Sequence, residues 1–281
     1  MRHGISMGIA IGALLLPVMG QAYDEAPVAD GGRVSGRVVL TGTPPPARIF
    51  HLILSPNPDV CSRIADGRGN RLLPEFRVDP AGGLADTVVM IVGVERGKPF
   101  PETTALAIEN CRMAPFVLPL RDRQPLPLVN RDTIAHDVQA YTLKADYTFA
   151  MFNRPLEPKE QRAETVRLRP GHTFFRAQCG VHAFMQAWGI AVGNPYFAVT
   201  GADGGFAIDG VPPGRYYLLA WHPLLEPTAR EILIEPNGAV TADVAFAADA
   251  VRIPLHDLQT SYRFDTFVHP GDFPPPNELQ R

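Results

Sequence analysis

Short runs of apolar, β-branched and aromatic residues, interrupted by Gly, Pro, Asn or Asp, recur along most of the chain. They fall at residues 34–40, 87–94, 126–129, 136–143, 165–168, 173–177, 187–192, 196–200, 206–208, 216–222, 231–234 and 239–246. Runs of this length and composition, bounded by turn formers, predict strands. In Thr165-Val166-Arg167-Leu168-Arg169 polar and apolar residues alternate, so one face meets a core and the other meets water. A helical period of useful length is missing. The pattern predicts an all-β protein built as two antiparallel sandwiches.

Gly193-Asn194-Pro195 closes the first pattern. From Tyr196 the order is strand, Gly-rich turn at 201–205, strand, Pro212-Pro213-Gly214, strand, and two further strands expected to pair across Pro236-Asn237-Gly238. This predicts a compact β-meander. The expected division is therefore residues 23–193, residues 194–250, and an irregular tail over 251–281. Residues 1–22 begin with Arg2 and His3, continue through a short apolar run and end in Gly20-Gln21-Ala22, the parts of a secretory signal peptide cleaved after Ala22. That apolar run is too short for an ordinary membrane span. The mature chain is expected to be periplasmic or secreted, with no membrane span.

Composition sharpens this picture. With 281 residues, 46% hydrophobic, the chain can bury two modest cores. The 29 prolines and 25 glycines suit a turn-rich fold. A net charge of −3, with the 26 basic residues spread along the chain, leaves no stripe for a phosphate backbone and argues against nucleic acid as a partner.

Export makes the three cysteines informative. Cys61 and Cys111 lie in similar turn-like surroundings and are the expected disulfide. Cys179 is the thiol left to explain. It opens the pattern Cys179-x-x-His182-x-x-Met185, between one strand and the next. A thiolate, an imidazole and a thioether from one loop are soft and borderline ligands that select copper or zinc over magnesium or calcium. A trigonal His₂Cys site with weak axial Met needs a second histidine from another strand, and His136 is the best placed. His172 is expected to be structural or on the surface, and His222 to cap a strand end or contact the first unit. Phe184 and Trp188 are expected to be packing aromatics, although an apolar Ala183–Phe184 rim beside an exposed His182 edge would suit docking of a redox partner.

Asn130-x-Asp132 followed by His136, and then Cys179-x-x-His182-x-x-Met185, resembles the cupredoxins, with the short loop spacing seen in amicyanin. The resemblance covers roughly residues 126–192. It implies a Greek-key sandwich holding one type 1 copper ion, with His136, Cys179 and His182 in the trigonal plane and Met185 axial. It also implies single-electron exchange with a periplasmic redox protein such as a c-type cytochrome or a dehydrogenase. Many members carry Asn directly after the first histidine, a place held here by Asp137. A backbone N–H from residues 130–134 is the expected donor to the sulfur. The segment from Asn194 to Tyr216 resembles the carboxypeptidase regulatory-like, or prealbumin-like, β-sandwich, which implies no catalysis.

The expectation is thus a non-enzymatic electron carrier. Copper handling without a redox circuit, or an extracellular scaffold in which Cys179 is merely buried, are the alternatives. Outside the expected signal peptide neither G-x-S-x-G nor H-E-x-x-H occurs, and Cys179 with His182 on one short loop makes a poor nucleophile–base pair.

Overall fold

The computed structural model describes residues 23–52, 56–73, 75–144 and 147–251; the expected signal peptide and all of the tail beyond Val251 lie outside the described residues. Among them, the first strands are β1 (Asp24–Glu25), β2 (Gly32–Thr41), β3 (Ile49–His51), β4 (Asn70–Leu72), β5 (Val88–Val92), β6 (Arg96–Gly97) and β7 (Leu106–Ile108). A four-residue helix, α1 (Pro58–Cys61), lies between β3 and β4. Next come β8 (Met113–Ala114), β9 (Val117–Leu120), β10 (Pro125–Asn130), β11 (His136–Lys144), β12 (Tyr147–Leu156), β13 (Gln161–Thr165), β14 (Phe174–Cys179) and β15 (Gln186–Ala191). The last are β16 (Phe197–Val199), β17 (Gly205–Val211), β18 (Gly214–Trp221), β19 (Thr228–Ile234), β20 (Ala239–Thr241) and β21 (Val244–Ala247). The fold class is all-β, as the pattern predicts.

One sandwich pairs a four-stranded sheet, in the order β13-β10-β7-β8, with a five-stranded sheet, β12-β11-β14-β15-β9. Leu106, Leu126 and Leu128 from the first sheet meet Val138, Phe175 and Ala177 from the second in one core. The other sandwich joins a sheet in the order β16-β5-β18-β19 to β17-β2-β20, with β21 also pairing β2. Its core contains Val34, Val38, Val89, Ile91, Ile208, Leu218 and Ile232.

This pairing corrects the division at residue 193. The second sandwich takes β2 and β5 from the N-terminal part, so the first sandwich is an insertion within it. The reason is visible in β5, Val-Val-Met-Ile-Val: Val89 and Ile91 face the second core, while Val88 and Met90 face away, so the strand is covered on both sides. A strand apolar on both faces belongs at a sheet centre, and β5 lies between β16 and β18, as β2 does between β17 and β20. The meander expectation fails for the same reason. β19 pairs β18 whereas β20 pairs β2, so Pro236-Asn237-Gly238 carries the chain from one sheet to the other.

Val88 and Met90 join Trp221 against Val117, Trp188 and Ile190 of the first sandwich. The rings of Phe174 and Trp221 stack there at 5.2 Å. Two further differences from the sequence pattern are local. The run at 165–168 lies at and beyond the end of β13, although Val166 is fully buried. The ten-residue β12, absent from the runs read in the sequence, carries Pro155, which an edge position tolerates.

Candidate metal centre

β11 and β14 run antiparallel with Val138 opposite Cys179. Residues two apart on a strand share a face, so His136 and Cys179 both point inward at the end of the first sandwich. Both are buried. The loop after β14 turns tightly: the Met185 N–H donates to the His182 carbonyl at 2.9 Å, and the Cys179 N–H donates to the Met185 carbonyl at 3.1 Å. These bonds bring His182 back beside the thiol. The Gly180 N–H donates to the Asp137 carbonyl at 2.8 Å, so a backbone bond ties the two loops at Asp137. A Cβ on Gly180 would meet the side-chain ends of Asp137 and Gln139 at 2.4 Å, so a larger residue there would displace both.

The result is a compact donor set. His136 Nδ1 lies 3.8 Å and His182 Nδ1 3.6 Å from Cys179 Sγ, and ligand atoms of the three residues lie within 4.8 Å of one another. The structure therefore brings together three of the four predicted ligands by their donor atoms. Met185, at the end of that loop, is fully buried and belongs to the same core.

The surroundings tune these groups. Burial pushes the Cys179 thiol up, against the opposing effect of backbone N–H groups from Asp137, Val181 and His182. The donors facing the sulfur thus come from the two ligand loops and not from residues 130–134. Burial lowers His136, opposed by Asp132. Burial, followed by repulsion from His136, lowers His182 to about 4. Both imidazoles are thereby kept neutral, the form that binds metal.

Asp132 is the residue whose role sequence reasoning missed. Its carboxylate accepts from the Asn110 N–H at 2.5 Å and the Cys111 N–H at 2.8 Å. The loop carrying it is braced by Asn130, whose side-chain amide donates to the carbonyls of Ile134 and Glu157 at 2.8 and 2.9 Å. Burial alone would raise the Asp132 carboxyl; the Cys111 N–H, the His136 ring and the Asn110 N–H outweigh it and hold the group below its ordinary value.

The expected exposed His182 edge is absent. His182 is 1% exposed and Phe184 6% exposed. A cover formed by β3, α1 and β4 lies over them, with His182 Nε2 3.2 Å from the Pro56 carbonyl and Phe50 against Phe184. The expected disulfide, Cys61–Cys111, is formed. It fastens the cover to the first sandwich, and ligand atoms of Cys61, Cys111 and His182 lie within 4.8 Å of one another.

His172 and His222 take no part. His172 packs edge-on against Phe149 at the far end of β14. His222 is completely buried between the sandwiches, stacked on Phe76 at 4.9 Å with Phe116 beyond it. Phe184 and Trp188 are packing aromatics.

No family model and no curated protein matches the chain. Similar solved structures include amicyanin from Paracoccus versutus (Thiobacillus versutus), 16% identical over 37% of this chain and 97% of that chain, with a TM-score of 0.27. A purple cupredoxin from Nitrosopumilus maritimus is 15% identical over 28% of this chain and 81% of that one, TM-score 0.24. A copper-containing nitrite reductase from Thermus scotoductus SA-01 is 16% identical over 36% of this chain and 25% of that one, TM-score 0.27.

Proposed function

We propose that the chain is an exported electron carrier in which His136, Cys179 and His182 would hold one type 1 copper ion, with Met185 as a further, weaker donor. The observation that carries this reading is the convergence of two imidazole Nδ1 atoms on one buried thiol. Two nitrogens and one thiolate are the donor set that suits copper in a trigonal site. Bound copper would supply the one-electron chemistry by cycling between Cu(I) and Cu(II).

The protein's own residues supply the rest. Cys179 gives up its proton on metal uptake, and the three N–H groups facing the sulfur favour the thiolate. Asp132 accepts from the Nε2 side of His136, which leaves Nδ1 free to bind. The cover over His182 leaves that ligand 1% exposed, which supports a resident metal over one passed on. The thiol and His182 are close enough to resemble a nucleophile–base pair, yet burial disfavours both charged forms. The donor and acceptor in this reading are periplasmic redox proteins such as a c-type cytochrome or a dehydrogenase. The second sandwich, similar in its turns to a carboxypeptidase regulatory-like domain, is a non-catalytic support.

The test is the visible spectrum of the protein loaded with Cu(II) and freed of excess metal, alongside Cys179→Ser. An intense thiolate-to-copper charge-transfer band, bleached by ascorbate and missing in the variant, is expected. A colourless protein that binds Cu(I) stoichiometrically would replace electron transfer with copper handling. Absence of any metal binding would leave the scaffold reading.

A further inference from the structure

A cavity of about 290 Å³ lies beside the metal centre, between the cover and the first sandwich, and Cys111, Phe184 and Met185 form part of its wall. Arg71 of β4 lines it while only 8% exposed. The Arg71 Nε is buried and has no hydrogen-bond partner among the described residues. Arg112 lines the same cavity, and its charge is what Arg71 feels after burial itself; together they lower Arg71 to about 10.

The acids nearby are already matched. Glu75 is bound by Arg48 through a bidentate pair that includes Nε contacts of 3.0 and 2.9 Å. Asp86 is bound by Arg77 at 2.6 and 2.8 Å. The cavity therefore contains two cationic side chains without a carboxylate partner among the described residues, one of them buried. A buried guanidinium without an anion is costly, and its planar donors fit a carboxylate.

We propose that this cavity binds a small organic monocarboxylate, its carboxylate on Arg71 and Arg112 and its apolar body against Leu73, Phe184 and Met185. The volume lies at the small end of ligand pockets, which suits a body the size of one ring or a short chain. The apolar wall makes a strongly hydrated inorganic oxyanion a poorer fit. The site is built from residues outside the metal-ligand set apart from Met185, so it stands whether or not the copper reading does.

The test uses benzoate as the probe, with inorganic phosphate beside it, titrated calorimetrically into the full-length protein. One benzoate per chain is expected, with a raised melting temperature and phosphate much weaker. Arg71→Met should weaken benzoate binding by about tenfold to a hundredfold, the loss of charge-assisted hydrogen bonds, without lowering the melting temperature of the ligand-free protein. Ala114→Trp, at an exposed position on the cavity wall, should block binding by bulk alone and keeps the test decisive if Arg71→Met fails to fold. Benzoate binding that survives Ala114→Trp or a folded Arg71→Met, phosphate binding as tight as benzoate, or no binding of either would overturn the proposal.

Discussion

The Asp132 carboxylate lies 2.9 Å from His136 Nε2, on the opposite edge of the ring from the one that faces Cys179. An acceptor at Nε2 keeps the proton there and leaves the Nδ1 lone pair directed at the thiol. In Asp132→Asn the amide could donate to Nε2 and favour the wrong tautomer. The variant is expected to bind copper about tenfold to a hundredfold more weakly, measured by competition against a chelator. An unchanged affinity would show that the carboxylate only braces the Asn110–Cys111 turn.

The Cys61–Cys111 bond closes a loop of 50 residues in sequence separation. By chain entropy such a cross-link stabilises the fold by about 4 kcal/mol. The double variant Cys61→Ala/Cys111→Ala should lower stability by roughly 2–5 kcal/mol and speed copper loss from the loaded protein, because the carbonyl of Pro56 is then less firmly held over His182. Denaturant unfolding and chelator-driven metal release check both halves; an unchanged release rate would mean that apolar packing alone secures the cover.

Gly189 on β15 lies against the Phe175 ring, and a Cβ there would approach the ring carbons to 1.9 Å. Phe175 is fully buried in the first core and cannot move aside without disturbing its neighbours. Gly189→Ala should cost about 1–3 kcal/mol in thermal or denaturant unfolding. A smaller loss would show that the ring can shift within this core.

His222 makes a stability prediction with a definite sign. Burial lowers it from 6.5 to about 3 in the folded protein. Between those values the unfolded chain takes up a proton that the folded one refuses, so stability is complete above pH 6.5 and falls as pH drops towards 3. The slope from this group approaches about 1.4 kcal/mol per pH unit. Comparing His222→Phe with the parent protein isolates it from the other buried histidines: the unfolding free energy of the parent minus that of the variant should fall on acidification. A gap constant from pH 7 to 4 would mean that the ring is protonated when folded.

The donor triad was legible in the sequence because its logic is local. Cys179 and His182 share one loop, and His136 begins a strand whose alternation fixes its direction. The cover was not legible: the apolar run at 49–54 stands among prolines and glycines with nothing to say where it folds back, and the contact with His182 uses a backbone carbonyl, which any residue possesses. Asp132 was noticed only as part of a motif, since its three hydrogen bonds join segments whose approach depends on the fold. The apolar runs at 34–40 and 87–94 announced strands, but alternation does not say which distant strand a run will join.

That last pairing has a consequence for how the molecule is made. Because β2 and β5 wait for β16 to β21, the N-terminal strands of the second sandwich leave the synthesis machinery long before their partners. The inserted sandwich, whose strands lie between residues 106 and 191, can close first. Its closure brings residues 92 and 197 toward each other and shortens the loop that the outer sandwich must later close. Folding order is thereby written into the nesting: the inner unit acts as the clasp for the outer one, and a lesion that slows the inner unit should leave apolar β5 exposed to aggregation.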